Sequence, residues 1–141
     1  MLLLHQLAAA FLLVTLSMWL ECGGIATLIT WARRAVAGDI QKLGAFRSAA
    51  LVVRVTTAVI ALHGLQVLVW AGCYRWLCFP SWESAIYFSA SSYATVGYGD
   101  VVLPSRWHML GPLESIIGVL MCGVSVSLLF AIATRLLGRE R

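Results

Sequence analysis

The sequence predicts an all-α integral membrane protein with three membrane-spanning helices and one shorter re-entrant helix. Of its 141 residues, 61% are hydrophobic and only 11% are charged, and the mean hydropathy is +0.90. A soluble domain of this length could not bury so much apolar surface. Three apolar stretches, at about residues 2–31, 49–71 and 110–137, are each long enough to cross a bilayer, which takes about 20 helical residues.

Residues 1–32 form the first predicted unit, an N-terminal transmembrane helix. A secretory signal peptide is disfavoured, because the segment has no basic n-region and Glu21 lies where a cleavage region would be. The stretch is long for one crossing, so we expect it to tilt. Residues 33–48 follow as a basic cytoplasmic linker, for which a short interfacial helix and a plain connecting loop are equally good interpretations.

The second predicted unit, residues 49–137, contains an outer helix, a short helix and an inner helix. Residues 81–93 are too few to cross a bilayer, which favours a re-entrant helix buried among protein. Ser81 is the expected N-cap of the short helix, and Glu83 in its first turn suits the positive helix end. Residues 138–141 form a short cytoplasmic tail.

The basic residues predict the orientation of the chain in the membrane. They are concentrated after the first and third spans, at Arg33, Arg34, Lys42, Arg47, Arg135, Arg139 and Arg141. The positive-inside rule therefore predicts a cytoplasmic linker and tail, an outward-facing short helix and an N-terminus outside the cell. Charge at span ends sets topology, so the net charge of +4 does not indicate nucleic-acid binding. Membrane lipids are the expected surroundings.

The short helix is followed at once by the hexapeptide Thr95-Val96-Gly97-Tyr98-Gly99-Asp100. It resembles the selectivity-filter loop of potassium channels at every position of the core motif. Successive backbone carbonyls can cage a dehydrated potassium ion only if all of them point to one side of the strand. That arrangement demands backbone of alternating hand, which Gly97 and Gly99 adopt at little steric cost. A plain glycine-rich turn is disfavoured, because the surrounding helices also fit the family.

Residues 49–137 as a whole resemble the two-transmembrane pore module of potassium channels, with one extra helix in front. The resemblance implies a passive potassium-selective channel whose ion-binding residues are Thr95, Val96, Gly97, Tyr98 and Gly99. One chain supplies one filter strand and a cage needs four, so a homotetramer is implied. Potassium is the only metal expected, and no organic cofactor is expected. The compactness and the resemblance also indicate a bacterial inner-membrane protein.

Two other functions remain open at this point. One is a pore subunit that needs a regulatory partner protein, and the other is a subunit of a potassium transporter, although such proteins usually repeat degenerate filter loops within one long chain.

An enzyme is not expected, because no nucleophile–base pair, metal cluster or phosphate loop appears in the sequence. A voltage sensor needs arginines at every third position, and the second span has only Arg54. No cytoplasmic ligand-binding domain is expected after the third span.

The resemblance also places supporting residues around the filter. Tyr87, Phe88 and Tyr98 occupy positions where the family packs an aromatic cuff. Several relatives carry a glutamate at the position of Ser91, and it pairs with the aspartate that follows the filter. Asp100 therefore needs another partner here, and Tyr87 is a candidate by position.

The inner helix carries three residues with two interpretations each and one candidate gate residue. Glu114, near its start, either stabilises the positive helix end or braces the filter from behind. Gly118 and Gly123, in the middle third, serve equally well as a hinge or as sites of close helix packing. A narrowing near Phe130 is a candidate gate that closes by dewetting.

Two residue pairs outside the filter carry structural expectations. Glu21 and Arg54 lie about ten and six residues from the same side of the membrane, so their depths are comparable. An interhelical ion pair is the leading interpretation, with proton sensing as the alternative. Cys73 and Cys78 flank the outer turn, in a compartment where disulfides persist, so a disulfide and two free thiols are equally good expectations.

Overall fold

The computed structural model of the protein describes residues 2–35 and 44–137. This part of the chain forms four α-helices, α1 (Leu2–Ala35), α2 (Ala45–Leu77), α3 (Trp82–Tyr93) and α4 (Leu110–Leu137), and a one-turn 3₁₀ helix at Ser105–Trp107. Neither of the two described ranges contains a strand. The predicted all-α fold is therefore confirmed.

Three helical segments are long and apolar enough to cross a bilayer, namely Leu4–Arg34, Phe46–Leu77 and Ser105–Thr134. The protein is thus a multi-pass membrane protein. The helix α2 extends beyond the predicted span 49–71 at both ends, and α1 continues to Ala35, so the linker is shorter than the predicted 33–48. The predicted interfacial helix falls mainly on residues 36–43, and the tail on residues 138–141, which lie outside the described residues.

The short helix α3 begins where the sequence predicts. Ser81 is its N-cap, with the Oγ atom accepting a hydrogen bond from the backbone N–H of Ser84 at 3.2 Å, and Glu83 lies in the first turn. Twelve residues measure about 18 Å in a helix, far less than the roughly 30 Å of a bilayer core. Because α3 ends at Tyr93 and residues 95–100 continue without regular structure, α3 leads directly into the motif, which is exposed in the single chain.

A buried cluster beside α3 holds this helix and the loop after the motif in place. Its members come from all four helices and from the loop that precedes α4: Ala10, Trp70, Ala71, Tyr74, Ala85, Leu103 and Leu110. The Tyr74 ring meets Phe88 edge to face, with centroids 5.0 Å apart and planes at 89°, a favoured aromatic geometry. The re-entrant helix is therefore wedged between α2 and α4 by apolar packing.

The extra helix α1 packs against both α2 and α4. Ser17 Oγ accepts a hydrogen bond from Trp70 Nε1 at 3.0 Å, which ties α1 to α2. Gln6 Oε1 accepts one from the backbone N–H of Met109 at 3.2 Å, just before α4 begins. Polar groups inside a bilayer need partners within the protein, so these contacts make α1 an integral part of the bundle.

Candidate functional site

The backbone of the filter motif alternates in hand. Thr95, Gly97 and Gly99 have φ angles of 59°, 54° and 80°, and the intervening Val96 and Tyr98 are not among the residues of positive φ. Alternating left- and right-handed residues turn successive peptide groups so that their carbonyls face the same side of the strand. The two glycines adopt this conformation at little cost, as predicted.

Thr95 shares the left-handed conformation, which the sequence analysis assigned only to the glycines. A β-branched residue at positive φ is a genuine outlier, and such a conformation costs about 1–3 kcal/mol. The strain is partly offset because the Thr95 N–H donates to the carbonyl oxygen of Ser92 at 2.9 Å. The sequence does contain a signal for this conformation. Gly97 and Gly99 are two residues apart, and the same spacing continued toward the N-terminus reaches Thr95.

The N–H groups of residues 95–98 all bond to the end of α3. The four pairs are Thr95 N to Ser92 O at 2.9 Å, Val96 N and Gly97 N to Ser91 O at 2.9 and 3.2 Å, and Tyr98 N to Ser91 Oγ at 3.4 Å. By contrast, no donor from the described ranges bonds to a carbonyl oxygen of residues 95–99. The strand therefore presents a row of carbonyl oxygens that accept no hydrogen bond from the described residues.

Ser91 is central to this support. Its carbonyl oxygen and its hydroxyl together accept three consecutive N–H groups of the strand. The sequence analysis singled out Ser91 as a departure from relatives that carry glutamate. The hydroxyl of Ser91 instead accepts the N–H of Tyr98 at 3.4 Å, and its backbone carbonyl oxygen accepts those of Val96 and Gly97.

The C-terminal end of the motif is held by the predicted contact between Tyr87 and Asp100. Tyr87 Oη donates to Asp100 Oδ2 at 2.7 Å, and Asp100 Oδ1 accepts the N–H of Val101 at 3.0 Å. The hydrogen bond to Asp100, followed by partial desolvation, raises the pKa of Tyr87. The rings of Tyr87 and Tyr98 are stacked, with centroids 6.3 Å apart and planes at 14°. These residues form the predicted aromatic contact beside the filter.

Phe88 does not join that stack. Its ring packs against Tyr74 and Phe79, at centroid distances of 5.0 and 5.5 Å, on the side of α3 that faces α2. Neighbouring residues in a helix point about 100° apart, so Tyr87 and Phe88 cannot both face Tyr98. The predicted cuff is therefore corrected to Tyr87 and Tyr98, with Phe88 supporting the filter from behind.

Glu114 braces α3 from behind, which decides between its two interpretations. Its side chain is fully buried. Tyr74 Oη on α2 donates to Oε2 at 2.8 Å, and Ser89 Oγ on α3 donates to Oε1 at 2.5 Å. Ser89 Oγ also lies 2.9 Å from the carbonyl oxygen of Val67. The sequence analysis predicts no role for Tyr74 or Ser89. Tyr74 lies beyond the predicted end of the outer helix at residue 71.

A cavity of about 680 Å³ lies beside the filter strand. Thr95 and Gly97 line it on one side, and Phe88, Pro112 and Ser115 line it on another. The filter strand is therefore supported on one side only within one copy of the protein.

The two glycines of α4 differ in their surroundings. A Cβ atom at Gly118 would lie 2.2 Å from the carbonyl oxygen of Tyr93, whereas nothing lies within 4 Å of one at Gly123. The structure therefore assigns Gly118 to close packing against the end of α3. Gly123 keeps its hinge interpretation as a prediction, as does the gate at Phe130, whose side chain is exposed in the single chain.

The predicted ion pair between Glu21 and Arg54 is wrong. Both carboxylate oxygens of Glu21 accept hydrogen bonds from neutral groups, Oε2 from Gln66 Nε2 at 2.7 Å and Oε1 from Ser125 Oγ at 2.6 Å. Arg54 is exposed on the outside of α2. Comparable depth in the membrane was the basis of the prediction, and depth does not specify which face of a helix a residue occupies.

Cys73 and Cys78 are free thiols, so the predicted disulfide is not formed. Cys73 lies in the last turns of α2, and Cys78 is the C-cap residue that follows the helix. The free-thiol alternative is the one that the structure contains.

The family comparison covers the same part of the chain. The ion channel family model matches residues 62–135, more than half of the chain. No curated protein and no solved structure matches the sequence. The matched segment contains most of the α2 face that packs on α3, the filter motif and nearly all of α4. This protein therefore belongs to the ion channel family.

Proposed function

We propose that the chain is the pore-forming subunit of a potassium-selective channel, and that four copies surround one conduction axis. The observation that carries the proposal is the one-sided backbone of residues 95–99. Its N–H groups bond to α3, and its carbonyl oxygens are free of donors from the described residues. A row of carbonyl oxygens is the ligand set that replaces the hydration shell of a potassium ion.

The geometry of one strand supports the proposed tetramer. A single strand offers oxygens from one direction, and a dehydrated ion needs them from all around. Val96 and Tyr98 are 51% and 72% exposed in the single chain, although both are apolar or aromatic. Contact with neighbouring copies around the axis supplies a reason for that exposure.

Selectivity for potassium is supported by what the strand lacks. Residues 95–99 carry no charged side chain, and the nearest carboxylate, Asp100, is held by Tyr87 at one end. Neutral carbonyl dipoles therefore coordinate the ion. In other cation channels, rings of acidic side chains provide the selectivity instead. The C-terminal end of α3, equivalent to about −0.5 charge, lies at the start of the strand and favours a cation there.

The orientation and location belong to the same proposal. The basic residues at the ends of α1 and α4 support a cytoplasmic location for those ends. The filter then opens outward, the N-terminus lies outside, and the protein resides in the cell membrane. A bacterial inner membrane is the proposed setting, on the basis of the resemblance to compact potassium channels.

The test is ion flux into liposomes that contain only the purified protein, with potassium and sodium compared. Gly97→Ala is the test variant, because its φ of 54° is strained for any residue with a side chain. Gly64→Ala is the matched control, since it makes the same change in α2 where nothing lies within 4 Å. We expect potassium-selective flux that Gly97→Ala abolishes and Gly64→Ala preserves.

Other outcomes would identify the rival functions. Folded tetramers without flux would contradict a self-sufficient channel and favour a pore subunit that needs a partner protein. Flux that requires a proton or sodium gradient would favour a transporter subunit. Equal flux of potassium and sodium would retain the pore and overturn its selectivity.

A further inference from the structure

The extra helix α1 is bonded to the inner helix at two matching levels. At the filter end of the bundle, Gln6 Oε1 accepts the N–H of Met109 at 3.2 Å. Deeper in the bundle, Glu21 Oε1 accepts the hydroxyl of Ser125 at 2.6 Å. The contacts are 15 residues apart on one chain segment and 16 on the other, or about 22 and 24 Å along a helix. The helices α1 and α4 therefore run parallel and in register.

Glu21 is an expensive residue in this position. Its side chain is only 1% exposed, and no basic group bonds to it among the described residues. Ionisable groups inside a bilayer are costly and are commonly functional. Docking of α1 on α2 does not require it, because Ser17 and Trp70 already join those helices. Packing of α1 against α2 therefore does not explain why Glu21 Oε1 is bonded to α4.

Ser125 differs from the other hydroxyl residues of the inner half of α4. Ser127 and Thr134 each donate to the carbonyl oxygen four residues earlier in their own helix, whereas Ser125 donates across to α1. Among the described side chains of α4, Ser125 is also the last buried one, since those at residues 126–134 are half-buried or exposed. Gly123, two residues earlier, has no atom near its Cβ direction. Among the described residues after Gly123, the hydrogen bond from Ser125 to Glu21 is therefore the one that joins α4 to another helix.

We propose that α1 is a built-in regulatory helix, and that the Glu21–Ser125 bond sets the balance between open and closed pores. The inference rests on the proposed channel function. If the inner half of α4 moves relative to α1 during gating, this bond exists in one state and not in the other. A contact that differs between two states shifts their populations by its differential free energy.

The first experiment is single-channel recording of purified protein in planar bilayers. The net contribution of one hydrogen bond corresponds to a change of up to about tenfold in an equilibrium constant. We expect Ser125→Ala to change the ratio of open to closed time by about that factor, with conductance and potassium selectivity unchanged. Ser127→Ala is the matched control, because Ser127 bonds only within its own helix, and we expect less than about a twofold change.

Glu21→Gln tests the partner on α1. It keeps the size of the side chain and removes its charge, so we expect a smaller change in the same direction. The double variant should show less than the sum of the two single effects, because both changes remove or weaken the Ser125 bond, and only Glu21→Gln also alters the bond from Gln66. Additive effects, or equal effects of Ser125→Ala and Ser127→Ala, would overturn the proposal.

A distance measurement separates this proposal from the channel function itself. Spin labels would be placed at Cys22 on α1 and at Ala131→Cys on α4, with the other cysteines replaced by serine. We expect Ser125→Ala to broaden the distribution of distances between the labels, and Ser127→Ala to leave it unchanged. Unaltered distances in Ser125→Ala would refute the regulatory role, even if no current were observed. Absence of current with broadened distances would instead refute the proposed function alone.

Discussion

The hydroxyl of Ser89 lies 2.5 Å from the carboxylate of Glu114, at the point where three helices meet. Ser89 belongs to the re-entrant helix and Glu114 to the inner helix, and Tyr74 of the outer helix completes the set at 2.8 Å. The position of α3 determines the position of the filter, because four N–H groups of the filter bond to its end. This buried carboxyl therefore connects the outer and inner helices to the filter support.

Tyr74→Phe should destabilise the protein by about 1–3 kcal/mol, the cost of leaving a buried acceptor without its hydrogen-bond partner. The reason is that Glu114 Oε2 would be left buried without its donor. The measurement is thermal or denaturant unfolding of the purified protein in detergent. Tyr87→Phe is the control, because its hydroxyl bond lies at the exposed end of the motif. Equal stability of the two variants would contradict the bracing role of Glu114.

Tyr87→Phe should act on conduction instead. The variant removes the donor that holds Asp100 Oδ2 at 2.7 Å and leaves the stacked ring in place. We expect unchanged stability of the fold and a faster decline of potassium current during prolonged opening, because the outer end of the filter loses one of its supports. Recordings of sustained current provide the measurement. Currents identical to those of the parent protein would show that Asp100 needs no tyrosine partner.

Local features of the structure were predictable, whereas the contacts between helices were not. The N-cap Ser81, the limits of α4 and the glycine pair of the filter each depend on a few neighbouring residues. The partner of Glu21 depends on how each helix is rotated about its axis. The spans are apolar on nearly all sides, so their sequence contains little periodicity from which that rotation could be read. For this reason the sequence predicts a pair between Glu21 and Arg54, whereas in the structure Glu21 faces α2 and α4 and Arg54 lies on the exposed face of α2.

Gly118→Ala should destabilise the protein, and Gly123→Ala should not. The added methyl group at position 118 would lie 2.2 Å from the carbonyl oxygen of Tyr93, where only backbone movement can relieve the clash. Overpacking of this kind costs about 1–3 kcal/mol or more. At position 123 the space is open, and the higher helix propensity of alanine contributes up to about 1 kcal/mol of stability.

Unfolding of the two glycine variants in the same detergent decides this prediction. The variants make the same chemical change in the same helix, five residues apart. Any general effect of alanine on α4 is therefore common to both. If Gly118→Ala were as stable as Gly123→Ala, the close approach of α4 to Tyr93 would be wrong, and Gly118 would regain its interpretation as a hinge.

The thiol of Cys78, just beyond the end of α2, should react slowly with maleimide at neutral pH. Burial, together with the nearby Cys73, raises the pKa of Cys78 to about 11. The thiolate is the reactive form, so about 0.1% of Cys78 is reactive at pH 8, against roughly a quarter of an exposed thiol. The rate should rise about tenfold for each pH unit between 8 and 10, because deprotonation is far from complete there.

Val102→Cys provides the control, because residue 102 is 65% exposed on the loop after the filter. Its labelling should level off above about pH 9, where an ordinary thiol is already ionised. Mass spectrometry of the peptide that contains Cys78 gives the rate at each pH. Similar pH profiles for the two sites would show that Cys78 is not buried. A Cys73–Cys78 disulfide would have a different signature, since Cys78 would then resist labelling at every pH until a reductant was added.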